Sequence, residues 1–203
     1  MASQQQERLV RATMQTRLCR LCIGFHFVDV TSIRSVMAQT GAVISGSAAL
    51  AMLQPHMNEP SDVDFYVPPR GLAQLLKFVQ AHGYELAIPP PGEEHYPSRI
   101  VLKLVHPVSA SRVDIVVPTE GVVEEVTRFH STMVMNYITH YGVVSLYPSL
   151  TMSRVGVAVK NGREESSCIQ KYRDRGYTIV NDSSTPAGAH KSRGSAPGTS
   201  AET

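Results

Sequence analysis

Long apolar runs, a disulfide framework and a strong charge of either sign are all missing from this chain of 203 residues. No apolar stretch approaches the roughly 18 residues of a membrane-spanning helix. The opening Met1-Ala2-Ser3-Gln4-Gln5-Gln6 has neither the positive charge nor the apolar segment of a secretory signal. These two absences predict an intracellular, cytoplasmic protein with no membrane partner. Cysteines number three, an odd count that makes no disulfide framework and leads us to expect no disulfide-linked partner. Cys19 and Cys22 do have a C-x-x-C spacing with His26 nearby. A structural zinc site wants four ligands, however, and Cys168 is the only other thiol, so the pair is read as small hydrophobes on a helix. The balance of 19 basic against 17 acidic residues, a net charge of +2, is too near neutral to attract a long polyanion in bulk. Solenoid-type repeats are absent as well.

What is present is a sequence 42% apolar, enough for one domain with its own core. Its most informative stretch runs from Ala42 to Val67. A short apolar strand ends in Gly46-Ser47, and fifteen residues after that serine comes Asp62-Val63-Asp64. Strand side chains alternate between faces, so Asp62 and Asp64 project together while Val63 and Phe65 point to a core. Two carboxylates held side by side raise one another's pKa, and a divalent cation is the usual remedy. Asp114, in Arg112-Val113-Asp114-Ile115-Val116-Val117, is a third acid flanked by apolar neighbours. Arg112 falls on the same side as Asp114 and would neutralise an acid or contact a phosphate. Gly46 allows a sharp turn and close approach of a phosphate, and Ser47 opens the apolar helix Ala48-Ala49-Leu50-Ala51-Met52-Leu53, whose free amides favour an anion.

Ile44-Ser45-Gly46-Ser47, then Asp62-Val63-Asp64-Phe65, then Val113-Asp114-Ile115 resemble the nucleotidyltransferase superfamily, which has the polymerase beta-like fold. The resemblance covers residues 31–118 and is similar to that of small stand-alone members of the superfamily, with a fungal source as an expectation. It implies an α/β (α+β) fold: a mixed sheet carrying the acids, flanking helices and a short C-terminal accessory portion. It implies that Asp62, Asp64 and Asp114 are catalytic and ligate magnesium or manganese, and that Gly46 and Ser47 hold the triphosphate of a nucleoside triphosphate. The reaction implied is transfer of a nucleoside monophosphate to an acceptor, a protein, an RNA end or a small molecule, with release of pyrophosphate. A nucleotide- or partner-binding module of the same fold without transfer is the alternative, and a metal-dependent nuclease a more distant one.

The remaining organisation follows from local signals. Glu7 to Cys22, rich in arginine and poor in acid, reads as an amphipathic helix in an N-terminal segment of residues 1–30; such a start also fits a mitochondrial transit peptide. The domain itself is assigned to residues 31–180. Asp29 or Thr31 caps a helix that Gly41 ends, and Gly71 to His82 is a second helix stopped by Gly83. The proline-rich stretch 89–97 is a candidate lid, preceding a strand Arg99 to Val105 that pairs as a hairpin with Arg112 to Val117. Val122 to His140 reads as one broken helix or two, with His130, Ser131, Thr132 and Asn136 as caps or interior hydrogen-bonding groups in preference to contacts with a base or ribose. Val143 to Tyr147 and Arg154 to Val159 read as short strands. Arg163 to Arg175 reads as a helix whose Lys171, Arg173 and Arg175 contribute a phosphate contact or, more commonly for such residues, form a solvated face. Residues 181–203, with almost no large apolar side chain, are expected to be disordered.

Overall fold

A computed structural model describes residues 2–54, 60–88, 99–159 and 165–181. The proline-rich stretch 89–97 and residues 182–203 therefore lie outside the described residues.

The chain opens with helix α1 (Ala2–Gly24). At ~1.5 Å of rise per residue it is about 35 Å long, more than the domain beneath it can cover. Its second half buries Leu18, Leu21 and Cys22 in the main core, while Leu9 and Val10 in the first half stay exposed. The amphipathic pattern thus becomes a packed face only from about Met14 onward. Helix α2 (Val30–Thr40) starts at Asp29, whose Oδ1 accepts from the Ser32 amide at 2.8 Å, and ends at Gly41, whose left-handed φ of 73° lets its N–H return to the Met37 carbonyl. Then come β1 (Val43–Ser45), α3 (Gly46–Leu53), β2 (Asp62–Tyr66), α4 (Leu72–Ala81), β3 (Glu85–Leu86), β4 (Arg99–Val105) and β5 (Arg112–Pro118). Both long strands of the β4–β5 hairpin lie where alternation and turn residues put them, paired antiparallel from Arg99↔Pro118 to Val105↔Arg112.

After β5 the chain departs from the helical reading of Val122 to His140. That segment holds a five-residue helix α5 (Val122–Val126), a single 3-10 turn (Thr132–Val134) and a strand β6 (Asn136–Ile138). Its apolar spacing imitates a helix, but Val134, Ile138 and Thr139 are β-branched, and the open edge of β1 takes them as a partner through Ile44↔Ile138. The strand β7 (Val143–Ser145), helix α6 (Pro148–Met152), strand β8 (Val155–Ala158), helix α7 (Glu165–Asp174) and strand β9 (Thr178–Asn181) complete the described residues. Asn181, counted with the tail in the sequence, is the last residue of β9, opposite Ala158.

The seven-stranded sheet has the order β3-β4-β5-β2-β1-β6-β7, and β8 and β9 form a separate parallel pair. Within the large sheet the central pair β2–β5 is parallel and its other pairings are antiparallel. One face presents Ile44, Val63, Phe65, Val113 and Ile115, each fully buried against α1, α2 and α4. The opposite face is roofed by a smaller cluster in which Leu50, Met133 and Val134 meet Tyr172, Tyr177 and Ile179 of the C-terminal portion. No helix among the described residues is long and apolar enough to cross a membrane.

Candidate functional site

The period of two along β2 puts Asp62, Asp64 and Tyr66 on the face away from the main core. In the parallel pairing of β2 and β5, Asp64 lies opposite Asp114 and Asp62 opposite Arg112. On the other flank Ser45 of β1 is the partner of Asp64. The chain turns into α3 beside this carboxylate with φ of 65° at Gly46, and a Cβ there would come within 2.4 Å of Asp64 Oδ2. Glycine is required twice over, by the backbone angle and by the closeness of the acid. Helix α3 begins at Gly46, one residue earlier than the sequence suggests. Its N-cap Ser45 makes no side-chain cap; its hydroxyl donates instead to the Asn136 carbonyl at 2.6 Å. The first amides of α3 are left without a side-chain acceptor, the arrangement that receives an anion. Ser47, buried at the helix start, donates its hydroxyl to Asp62 Oδ1 at 3.3 Å.

Electrostatics single out Asp64. Burial, and then the neighbouring Asp62 and Asp114, push its carboxyl up to about 7, while Lys171 and Arg112 pull weakly the other way. The Tyr66 hydroxyl is raised well above its ordinary value, by burial first and by Asp64 second. Arg112 Nη2 stands 3.8 Å from Asp62 Oδ2, so the arginine expected beside Asp114 neutralises the neighbouring acid instead.

Asp62 and Asp64 form the floor of a cleft of about 500 Å³, with Gly46 and Ser47 at one end. One wall carries Arg99 and Arg128, both tied to the buried Glu125: Arg99 Nη1 donates to Oε1 at 2.6 Å, and Arg128 Nη1 is 3.7 Å from Oε2. Phe129 meets Tyr66 edge-on at 5.9 Å on this wall. The far wall is α7, where Cys168, Lys171 and Tyr172 face the acids. Tyr172 is packed by the His130 ring at 5.5 Å and by the Arg175 guanidinium at 5.4 Å. Asp114 does not belong to the cleft lining; it stands one strand over, between Asp64 and Lys103 in register.

The donor set can be tested for a cation. Among the described residues no three His, Cys, Asp or Glu side chains close into a group that would hold a metal on their own. Magnesium seldom asks for that, binding through one or two carboxylates and completing its shell with water and substrate phosphate oxygens. Two hard carboxylates, one of them pushed up to about 7 by burial and by its acidic neighbours, fit such an ion. The Cys19, Cys22 and His26 set is dispersed: Cys19 is exposed, Cys22 lies in the core with its thiol pushed up to about 12 by burial, and the His26 ring stacks on His106 at 4.5 Å.

The structure therefore brings Gly46, Ser47, Asp62 and Asp64 into one cleft and sets Asp114 on the adjoining strand. Tyr66, Arg99, Arg128, Cys168 and Tyr172 went unnoticed as site residues in the sequence; Lys171, read there as a phosphate contact or a solvated charge, lines the cleft and is near enough to lower the Asp64 pKa. Alternation along β2 and β4 could have found Tyr66 and Arg99, because both share the acid-bearing face.

Solved structures with this arrangement of elements include CCA-adding enzymes. An apo CCA-adding enzyme superimposes with a TM-score of 0.55 at 12% identity, over 81% of this chain and 42% of that one. The fold is that of the nucleotidyltransferases. The Thermotoga maritima CCA-adding enzyme complexed with tRNA gives 0.54 at 12% identity, over 76% and 39% of the two chains. A CCA-adding enzyme with CTP gives 0.54 at 12%, over 79% and 42%. The chain thus spans about two-fifths of the length of these nucleotidyltransferases. No family model matches the sequence, and no curated protein matches it.

Proposed function

We propose that this chain is a metal-dependent nucleotidyltransferase that moves a nucleoside monophosphate from a nucleoside triphosphate to an acceptor hydroxyl in the cytoplasm. One observation carries the reading: an uncapped helix start at Gly46-Ser47 opens onto two adjacent carboxylates, one of them held near neutrality by burial and by its acidic neighbours. That pairing of an anion-binding helix end with a cation-seeking carboxylate pair is what a triphosphate on magnesium requires. Relatives of this fold have been solved with CTP and with tRNA, which supports a nucleotide as donor.

Asp62 and Asp64 would hold the magnesium or manganese ion, with Asp114 as a further ligand or as base. When bound, the ion supplies charge neutralisation for the phosphates and lowers the pKa of the attacking group. Gly46 and Ser47 receive the phosphate tail on the α3 amides, and Ser47 also orients Asp62 through its hydroxyl. Arg99 and Arg128, anchored by Glu125, place fixed positive charge along the cleft wall. The acceptor oxygen forms a bond to the α-phosphorus and the bond to the bridging oxygen breaks. Pyrophosphate leaves, and the acceptor proton would pass to the Asp114 carboxylate where that residue serves as base and not as ligand.

The second reading, a binding module without transfer, draws on Asp114 lying outside the cleft lining and on the lack of a three-carboxylate group among the described residues. Incubation with α-labelled triphosphates, magnesium and cell extract separates the two. Pyrophosphate release with label fixed to an extract component establishes transfer; magnesium-dependent binding with no pyrophosphate establishes the module.

A further inference from the structure

A second cavity of about 340 Å³ lies between α1, α3 and the starts of β2 and β5, and it shares no lining residue with the nucleotide cleft. Its floor is apolar, made by Leu21 of α1, by Phe25 just after it, and by Ala48, Ala51 and Met52 from α3. Its polar rim is of one sign. Arg17 and Arg20, three residues apart on α1 and hence on one helix face, both line it, as do Ser61 and Ser111, and among the described residues no carboxylate does. Four arginines elsewhere are committed to acids: Arg11 to Glu7, Arg99 and Arg128 to Glu125, and Arg112 to Asp62. Among the described residues neither Arg17 nor Arg20 is paired with a carboxylate. Arg17 is held in place because its Nη1 donates to the Met52 carbonyl at 2.5 Å near the end of α3, which leaves its other donors to serve the cavity. Arg20 has no such anchor and is exposed.

We propose that this cavity is a binding site for a small amphipathic anion, an apolar body on the α1–α3 floor with a carboxylate or phosphate head on Arg17 and Arg20. Apolar walls with a few convergent polar groups are what small-molecule sites offer, and the volume falls in their range. Two unpaired guanidiniums select an acidic head by charge-assisted, forked hydrogen bonds and repel a cationic one. The site stands independently of the nucleotide reading, since none of its lining residues takes part in it.

The test is calorimetric titration of the full chain with four probes of one chain length: octanoate, octyl phosphate, octanol and octyltrimethylammonium. At least one of the two anions is expected to bind at a single site, octanol about tenfold or more weaker, and the cation not measurably; the tighter anion names the head group. Arg20→Gln, at an exposed position, is expected to keep its melting temperature and lose about tenfold in anion affinity. Ala51→Phe, which fills the floor, is expected to abolish binding of anion and alcohol alike. Failure of both anions to bind, equal binding of anion and cation, or full anion affinity in Arg20→Gln would overturn the proposal.

Discussion

The two faces of strands β2 and β5 are built from alternate residues of the same few amino acids, yet they behave as different materials. Val63, Phe65, Val113 and Ile115 on one face have no exposed surface and knit α1, α2 and α4 to the sheet. Asp62, Asp64 and Asp114 on the other concentrate negative charge, and Asp64 is driven toward protonation. The apolar face stabilises the fold whatever is bound. The acid face opposes folding through the crowding and burial of its carboxylates, which is how it differs from a core.

The largest effect expected is on the apolar face. Phe65→Ala should cost about 3–5 kcal/mol, the usual range for emptying a fully buried aromatic site, measured by urea denaturation. On the acid face the sign reverses. Asp64→Asn should raise the stability of the ligand-free protein at pH 8 by up to about 4 kcal/mol, the conversion of its pKa shift, while removing divalent-dependent nucleotide binding. A loss of stability in this variant would mean that the carboxylate is part of a structural network.

The pH dependence sharpens the contrast. The folded pKa of Asp64, about 7, lies above the ordinary 3.8, so its contribution is fully present below about pH 4 and is lost as pH rises through 7. The stability difference between Asp64→Asn and the parent should be near zero at about pH 4, grow through neutrality and level off beyond it. Saturating magnesium with nucleotide should shrink that difference; a difference independent of pH would contradict the electrostatic origin. The smallest effect belongs to Arg112→Gln. Its guanidinium is 59% exposed and 3.8 Å from Asp62, so stability should move by about 0.5 kcal/mol or less in thermal melts.

These two faces were legible in the sequence because they rest on short-range signals. Alternation in Asp62-Val63-Asp64-Phe65, the left-handed glycine after α2, and the Gly-Ser turn each act within a few residues, and the strands, caps and site floor followed from them. Segments shaped by distant partners were not legible. Asn136 to Ile138 became a strand because β1, more than ninety residues earlier, offered an edge. The parallel pairing of β8 with β9 left no local trace that fixed its partner. The far wall of the cleft suffered the same way: Lys171 reads as a solvated charge as readily as a phosphate contact, Tyr172 carries no signal, and only the packing of α7 over Leu50 and Val134 turns them toward Asp64.

The account stands most directly on whether the acid face is a cation-bridged nucleotide site. Calorimetric titration of the full chain with CTP and ATP at pH 8, in magnesium and then in chelator, reads this out. We expect saturable binding in magnesium, none in chelator, and at least about tenfold weaker binding in Asp64→Asn. Equal affinity in the two buffers, or unchanged affinity in Asp64→Asn, would contradict it.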